Sequence, residues 1–297
     1  MKSLHKYMRA IGFSKLNTRK ELEELIRICA GEASERSYTS NGEDTMLAVF
    51  SKEFAPGIGV SICGEYDESN NFSYDYCFPY LIGEGITSYE DITIERHAEK
   101  ESYAGICDDV KVGVSLIFYL QNMIPYIKVK NSDKLPVRGT SITLSALSCQ
   151  GTIMMPIIKN ETEKKKNQKA SNSRNQLIEA ARKGDEDAIE SLTLEDMDTY
   201  TAISRKIQQE DVFTIVDTYF MPYGVECDQY SILGEILDIQ SVENSLTHEE
   251  IYKITLFCNE LTFDIGINKI DLFGEPMIGR RFKGVIWLQG LINFPEV

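Results

Sequence analysis

An α+β fold that ends in a small five-stranded β-barrel is predicted by three features of this sequence. A helix with its own capping signal stands near the start, apolar residues alternate with period two over much of 44–158, and five strand-like segments crowd into residues 211–297. The layout this predicts is an antiparallel-sheet domain with packed helices over 1–158 and a polar linker with a short helical connector over 159–210. The barrel, OB-like or SH3-like, then occupies 211–297.

At the N-terminus Leu4, Tyr7, Met8 and Ile11 recur at helical spacing among Lys2, Lys6, Arg9 and Lys15. They predict a short amphipathic helix; its apolar face is too short to favour a membrane surface, so it is read as packed on its own domain. Thr18 and Glu21 form a T-x-x-E capping box, in which hydroxyl and carboxylate satisfy the free amides of a helix start. Leu22, Leu25, Ile26 and Cys29 then make one stripe, and Gly31 is the stop.

Beyond residue 44 the period changes. Ile58, Val60, Ile62 and Tyr66 alternate with smaller or polar residues, and so do Phe72, Tyr74, Tyr76, Phe78 and Tyr80 after the turn at 67–71. This predicts a hairpin with one aromatic ladder on a single face of its second strand. Such a ladder can stack nucleic-acid bases, but no basic residue lies between Lys52 and Arg96 to hold a phosphate, so it is read as core. Pro79 marks an edge strand or a strand end. Further strands are expected near 91–97, 101–107, 112–120, 140–147 and 152–158, joined by gaps too short for parallel crossovers.

Residues 159–173 show no hydrophobic period and read as a linker, with Lys164, Lys165 and Lys166 solvated and a glycosylation sequon at 160–162 that a cytosolic chain leaves unused. Two or three short helices are expected next. The first carries Leu177, Ile178 and Ala181 and stops at Gly184; Asp185 caps the second and Thr193 the third. The barrel strands are placed near 212–221, 231–240, 250–258, 261–268 and 282–293, with Asn259-Glu260 as a tight hairpin turn.

The chemistry of the sequence is mostly exclusion. No apolar run approaches the length that crosses a bilayer, and the basic N-terminus lacks a signal-peptide core. Seven scattered cysteines without C-x-x-C spacing read as reduced thiols of a cytoplasmic protein. A net charge of −15 argues against direct nucleic-acid binding. Phosphate-loop, dinucleotide, zinc-protease and nucleophile-elbow patterns are missing, so no catalytic residue, cofactor or metal site is assigned.

Two candidates remain. Residues 211–297 carry 5 Lys/Arg against 14 Asp/Glu, yet Arg280, Arg281 and Lys283 stand together in Gly274–Gly290, the stretch that also holds the sole tryptophan, Trp287. Such a basic island can grip a phosphate or carboxylate, or pair with the acids around it. The other candidate is His97, with Glu95, Glu99, Cys107, Asp108 and Asp109 near it in sequence. The leading reading is a non-enzymatic binding or regulatory protein that recognises a small anion or an acidic partner segment through Arg280, Arg281 and Lys283. The alternatives are an enzyme with its site near His97 and a structural subunit of a larger assembly.

The phrases YMRAIGFSKL, YFMPYGVECDQYSILGEI and GEPMIGRRFKGVIWLQG resemble an uncharacterised family of full-length proteins from clostridial-group bacteria, a domain of unknown function, over nearly the whole chain. The resemblance implies a bacterial cytosolic setting. It brings no activity and no site residue with it.

Overall fold

The computed structural model describes residues 5–40, 45–97, 101–109, 115–132, 139–157, 161–207 and 212–295. Lys2, Leu4, Glu99, the 112–114 part of the expected 112–120 strand, Asn160 of the sequon and the side chains of Lys164, Lys165 and Lys166 lie outside the described residues.

The capping box forms as the sequence requires. Helix α1 (Arg19–Gly31) starts with the Glu21 amide donating to Thr18 Oγ1 at 3.3 Å, while Glu21 Oε2 accepts from the Thr18 amide at 2.9 Å. The Asn17 amide, donating to Glu21 Oε2 at 3.0 Å, and then the Thr18 amide hold the Glu21 carboxyl below its ordinary range. Before it, Lys6–Ile11 is a 3-10 turn ended by Gly12 at φ 90°, with Tyr7, Met8, Ala10 and Ile11 buried. The turn packs on the chain's own sheet, as expected for its apolar face. Asn244 Nδ2 donates to Ile11 O at 2.8 Å, and Thr247 Oγ1 donates to Gly12 O at 2.6 Å.

The fold is mostly sheet with few helices: an antiparallel sheet of four strands and a closed barrel of five. The first sheet runs in sequence order, β1 (Glu35–Ser40), β2 (Met46–Ala55), β3 (Ile58–Tyr66) and β4 (Phe72–Leu81), and α1 packs against β2 and β3. The hairpin of β3 and β4 is where it was expected, but its aromatic ladder is not on one face. Cys63 pairs with Tyr76 and its neighbour Gly64 with Tyr74, so a bulge at Asp75 reverses the parity of β4. Phe72 packs with Phe50 and Tyr66, with ring centroids at 5.1 and 5.3 Å. Phe78 turns the other way and meets Tyr119 at 4.7 Å.

The next three strands, β5 (Ile92–Arg96), β6 (Tyr103–Cys107) and β7 (Leu116–Leu120), form an antiparallel extension. Helix α2 (Met123–Asn131) follows, an element with no counterpart in the expected layout; it buries Met123, Ile124, Tyr126 and Ile127. The two strands expected near 140–147 and 152–158 are one long strand, β8 (Ser141–Met154).

The expected linker is a helix. α3 (Glu161–Arg182) runs through it because Glu, Lys, Gln, Ala and Arg are good helix formers and need no hydrophobic period to form one. α4 (Glu186–Ile207) replaces the second and third expected helices. Asp185 caps it, accepting from the Ala188 amide at 3.1 Å, and Gly184 makes the turn at φ 89°. Thr193 caps nothing: its hydroxyl donates to Ile189 O inside the helix. Within the described residues, no helix is long and apolar enough to cross a membrane.

The barrel also differs from its expected strand list. The segment near 212–221 supplies only α5 (Val212–Ile215) and β9 (Tyr219–Pro222), which pairs with β10 (Gln229–Glu243) alone. β11 (Glu250–Cys258), β12 (Leu261–Asn268) and β14 (Arg281–Asn293) lie where they were placed, with the short β13 (Leu272–Phe273) between the last two. Asn259 and Glu260 make the tight turn at φ 46° and 63°. Closure comes from β8, which pairs in parallel with β12 and antiparallel with β14. Residue 158 thus separates β8 from the other four barrel strands in sequence, and the barrel is built from both sides of it. Gln289 ties the two sheets, donating to Pro79 O at 2.8 Å and accepting from the Leu81 amide at 3.2 Å.

Candidate ligand-binding cleft

A cleft opens where β14 changes partners. Along one edge, β14 pairs with β10 as far as Trp287 opposite Gln229, and then with β7 from Gln289 opposite Tyr119. The two neighbours are different strands, so a gap of about 680 Å³ stands between the barrel and the β5–β7 extension. Clefts that hold small molecules fall in the range of about 300–1,000 Å³.

Its walls are aromatic. Tyr119 and Tyr7 stand 5.2 and 5.4 Å from Trp287 between ring centroids, and His5 stands 4.5 Å away. Tyr76 and Phe78 from β4 complete the wall. The phenols are chained, with Tyr119 donating to Tyr76 at 3.4 Å and Tyr76 to Glu101 O at 2.8 Å. Burial pushes the Tyr7, Tyr76 and Tyr119 hydroxyls well above their ordinary range, so all three stay neutral.

One carboxylate faces these rings. Asp228, half-buried just before β10, accepts from Trp287 Nε1 at 2.7 Å through Oδ2. Burial raises its pKa above the ordinary 3.8; the Trp287 hydrogen bond and the nearby His97 oppose part of the rise. The mouth is polar. Lys6 pairs with Glu226 at 3.6 Å, and Arg96 pairs with the buried Glu101, which also accepts from Tyr103 at 2.5 Å.

His97 lies on the rim, its Nδ1 bonded to Ser102 Oγ at 2.9 Å. Of its described acidic neighbours in sequence, Glu95 lines the same cleft, but Asp108 and Asp109 are held elsewhere. Cys107 sits opposite Ile92 at the far end of the β5–β6 hairpin, and Asp109 is bonded to Ser88 at 2.6 Å. Across the described residues there is no group of three His, Cys, Asp or Glu side chains that could hold a metal.

The basic island is placed differently. Arg281 is only 6% exposed, and its guanidinium donates to Met155 O at 3.0 Å, Val216 O at 2.8 Å and Phe213 O at 2.7 Å, with a longer contact to Asp217 O at 3.4 Å. It pins α5 and the end of β8 to the barrel. Arg280 donates to Glu275 O at 2.8 Å, and Lys283 lies over the Phe213 ring with Nζ 4.0 Å from the centroid. The three side chains therefore have separate partners, and an anion at Arg281 would have to displace backbone carbonyls.

The family described as a domain of unknown function from an E. rectale gene (DUF3881) matches residues 8–290. The chain belongs to this family. The resemblance read from the N-terminal, 219–236 and 274–290 phrases is thereby borne out, and the match takes in every cleft residue named above except His5, Lys6 and Tyr7. No curated protein and no solved structure matches the chain. Sequence reasoning picked out Trp287 and His97 separately but missed that they share a cleft, and it missed Asp228. The available signal was the polar Asp228-Gln229 pair at the entry to a strand, next to the aromatic excess of 72–80.

Proposed function

We propose that the chain is a binding protein for a flat, nitrogen-bearing small molecule held in the cleft around Trp287. The observation that carries this reading is Asp228: a carboxylate drawn out of water and fixed by Trp287 Nε1–H at the edge of an aromatic wall. Aromatic faces with one desolvated carboxylate favour a stacked ring bearing N–H donors or a positive charge. The pairing order of the barrel supports an OB-like assignment over an SH3-like one. β10, β11 and β12 form a meander, a parallel step leads to β8, and β14 returns antiparallel to β10, which is the OB order with its fifth strand placed first in the chain. All seven cysteines are free, which supports a reducing, cytoplasmic setting.

The test is a melting-temperature screen of planar heterocyclic amines on the wild type and on Asp228→Asn. The reading expects hits that raise the wild-type melting temperature and bind Asp228→Asn about tenfold more weakly or worse. Hits that bind Asp228→Asn as well as wild type would contradict it. A turnover activity lost in His97→Ala would move the reading to an enzyme.

A further inference from the structure

A second cleft adjoins the one around Trp287 across Tyr7. Lys6, Tyr7 and Gln229 line both; the second, of about 490 Å³, has its far wall built from β8 and β14 around Gly151, Thr152, Lys283 and Gly284. The two clefts differ in sign. Glu95, Glu226 and Asp228 line the first with Lys6 and Arg96, whereas the second has Lys283 and Lys6, the latter paired with Glu226 at 3.6 Å, and no acidic residue among its described lining. In a chain of net charge −15, Lys283 in a cleft with no acid among its described lining is a local reversal of the prevailing field.

The shared wall carries a second, independent observation. Gln229 is 5% exposed, and its Nε2 has no hydrogen-bond partner. Its side chain stands near enough to the Tyr7 hydroxyl to oppose part of the rise in that group's pKa, but no hydrogen bond of ordinary geometry joins Nε2 to it. A buried donor left without an acceptor is costly, and a ligand acceptor placed between the clefts would remove that cost.

We infer that the two clefts are one bipartite site for a phosphorylated heterocycle of the nucleotide type. The ring stacks at Trp287 with its amino group toward Asp228, a linker oxygen or ring nitrogen accepts from Gln229 Nε2, and the phosphate lies beside Lys283 and Lys6. This rests on the reading of the first cleft and adds the phosphate end to it. Lysine acts here as a point charge and needs no bidentate fork. It also gives Lys283 a role apart from Arg280 and Arg281, which are held elsewhere.

The experiment is a titration of Trp287 emission, the only tryptophan signal in the chain, with adenosine, adenosine 5′-monophosphate and inorganic phosphate. Wild type should bind the monophosphate about tenfold or more tightly than adenosine, with an advantage that shrinks as salt is raised. Lys283→Gln should erase that advantage and leave adenosine binding unchanged; Lys6→Gln, a second variant with its own melting check, should reduce it in the same direction. Asp228→Asn should weaken both ligands. Equal affinity for adenosine and its monophosphate in wild type, or an advantage that survives Lys283→Gln, would overturn the inference while leaving the first cleft as a binding site. No response of Trp287 to either adenine compound would overturn it as well, and the amine screen on Asp228→Asn would then decide the first cleft separately.

Discussion

At its N-terminal end β14 carries Arg281, whose guanidinium is spent on the backbone carbonyls of Met155, Phe213 and Val216. Further along the same strand is Trp287, whose indole N–H goes to a carboxylate at the wall of an open cleft. Both residues are largely buried, yet one closes the fold and the other stands beside a half-buried carboxylate at the wall of an open cleft. The difference lies in what each polar group has left over. Arg281 is surrounded by neutral backbone acceptors that take most of its donors, so an anion there would compete with carbonyls already bound. Asp228 has one strong donor on one oxygen and a cleft beside it.

Breaking the closed end should have the largest effect. Arg281→Met leaves the carbonyls of two half-buried residues, Phe213 and Val216, and of the exposed Met155 without their donor; at about 1–3 kcal/mol for each half-buried group, a loss on the order of 2–6 kcal/mol in urea denaturation is expected. Ligand affinity of the remaining folded protein should not change. At the open end, Gly290→Ala would put a Cβ 2.5 Å from Phe118 Cδ2, where β14 meets β7. Overpacking of this kind costs about 1–3 kcal/mol, and because Phe118 lies on β7 between the cleft-lining Ile117 and Tyr119 it should weaken ligand binding as well.

A pH series sharpens the comparison further. Asp228 has a raised pKa in the folded chain, so between its ordinary 3.8 and the raised value the folded state holds a proton that the unfolded state has released. Its contribution therefore favours folding below 3.8 and is lost as pH rises through the folded value. Ligand affinity should run the opposite way, rising over the same window as the carboxylate forms, and Asp228→Asn should flatten both trends. The smallest effect is expected for Arg280→Ala, which loses one partly exposed bond to Glu275 O: within about 0.5 kcal/mol in denaturation and no change in affinity.

Much of the fold was legible because local rules governed it. The Thr18–Glu21 box, the β3–β4 hairpin, the Asn259-Glu260 turn and the strands at 250–258 and 261–268 each follow from residue types within a few positions of one another. What failed was non-local. Whether β8 or the 212–221 segment closes the barrel is decided by a parallel pairing between residues far apart in sequence, and local period does not encode it. The bulge at Asp75 is a single inserted residue that sends Tyr76 and Phe78 to the cleft and Phe72 to the other face. The cleft was illegible for the same reason, since Tyr7, Tyr76, Tyr119, Asp228 and Trp287 come from five separate segments. Charge density pointed to Arg280, Arg281 and Lys283, but sequence does not report which donors the backbone will consume.

The most direct measurement is a crystal structure of the wild-type chain with the tightest-binding planar amine. Difference density is expected for a ring in the cleft lined by Trp287 and Tyr119, with a nitrogen within about 3 Å of an Asp228 carboxylate oxygen. Density at Arg280 and Arg281, with the carbonyls of Phe213 and Val216 released and the cleft around Trp287 empty, would contradict it.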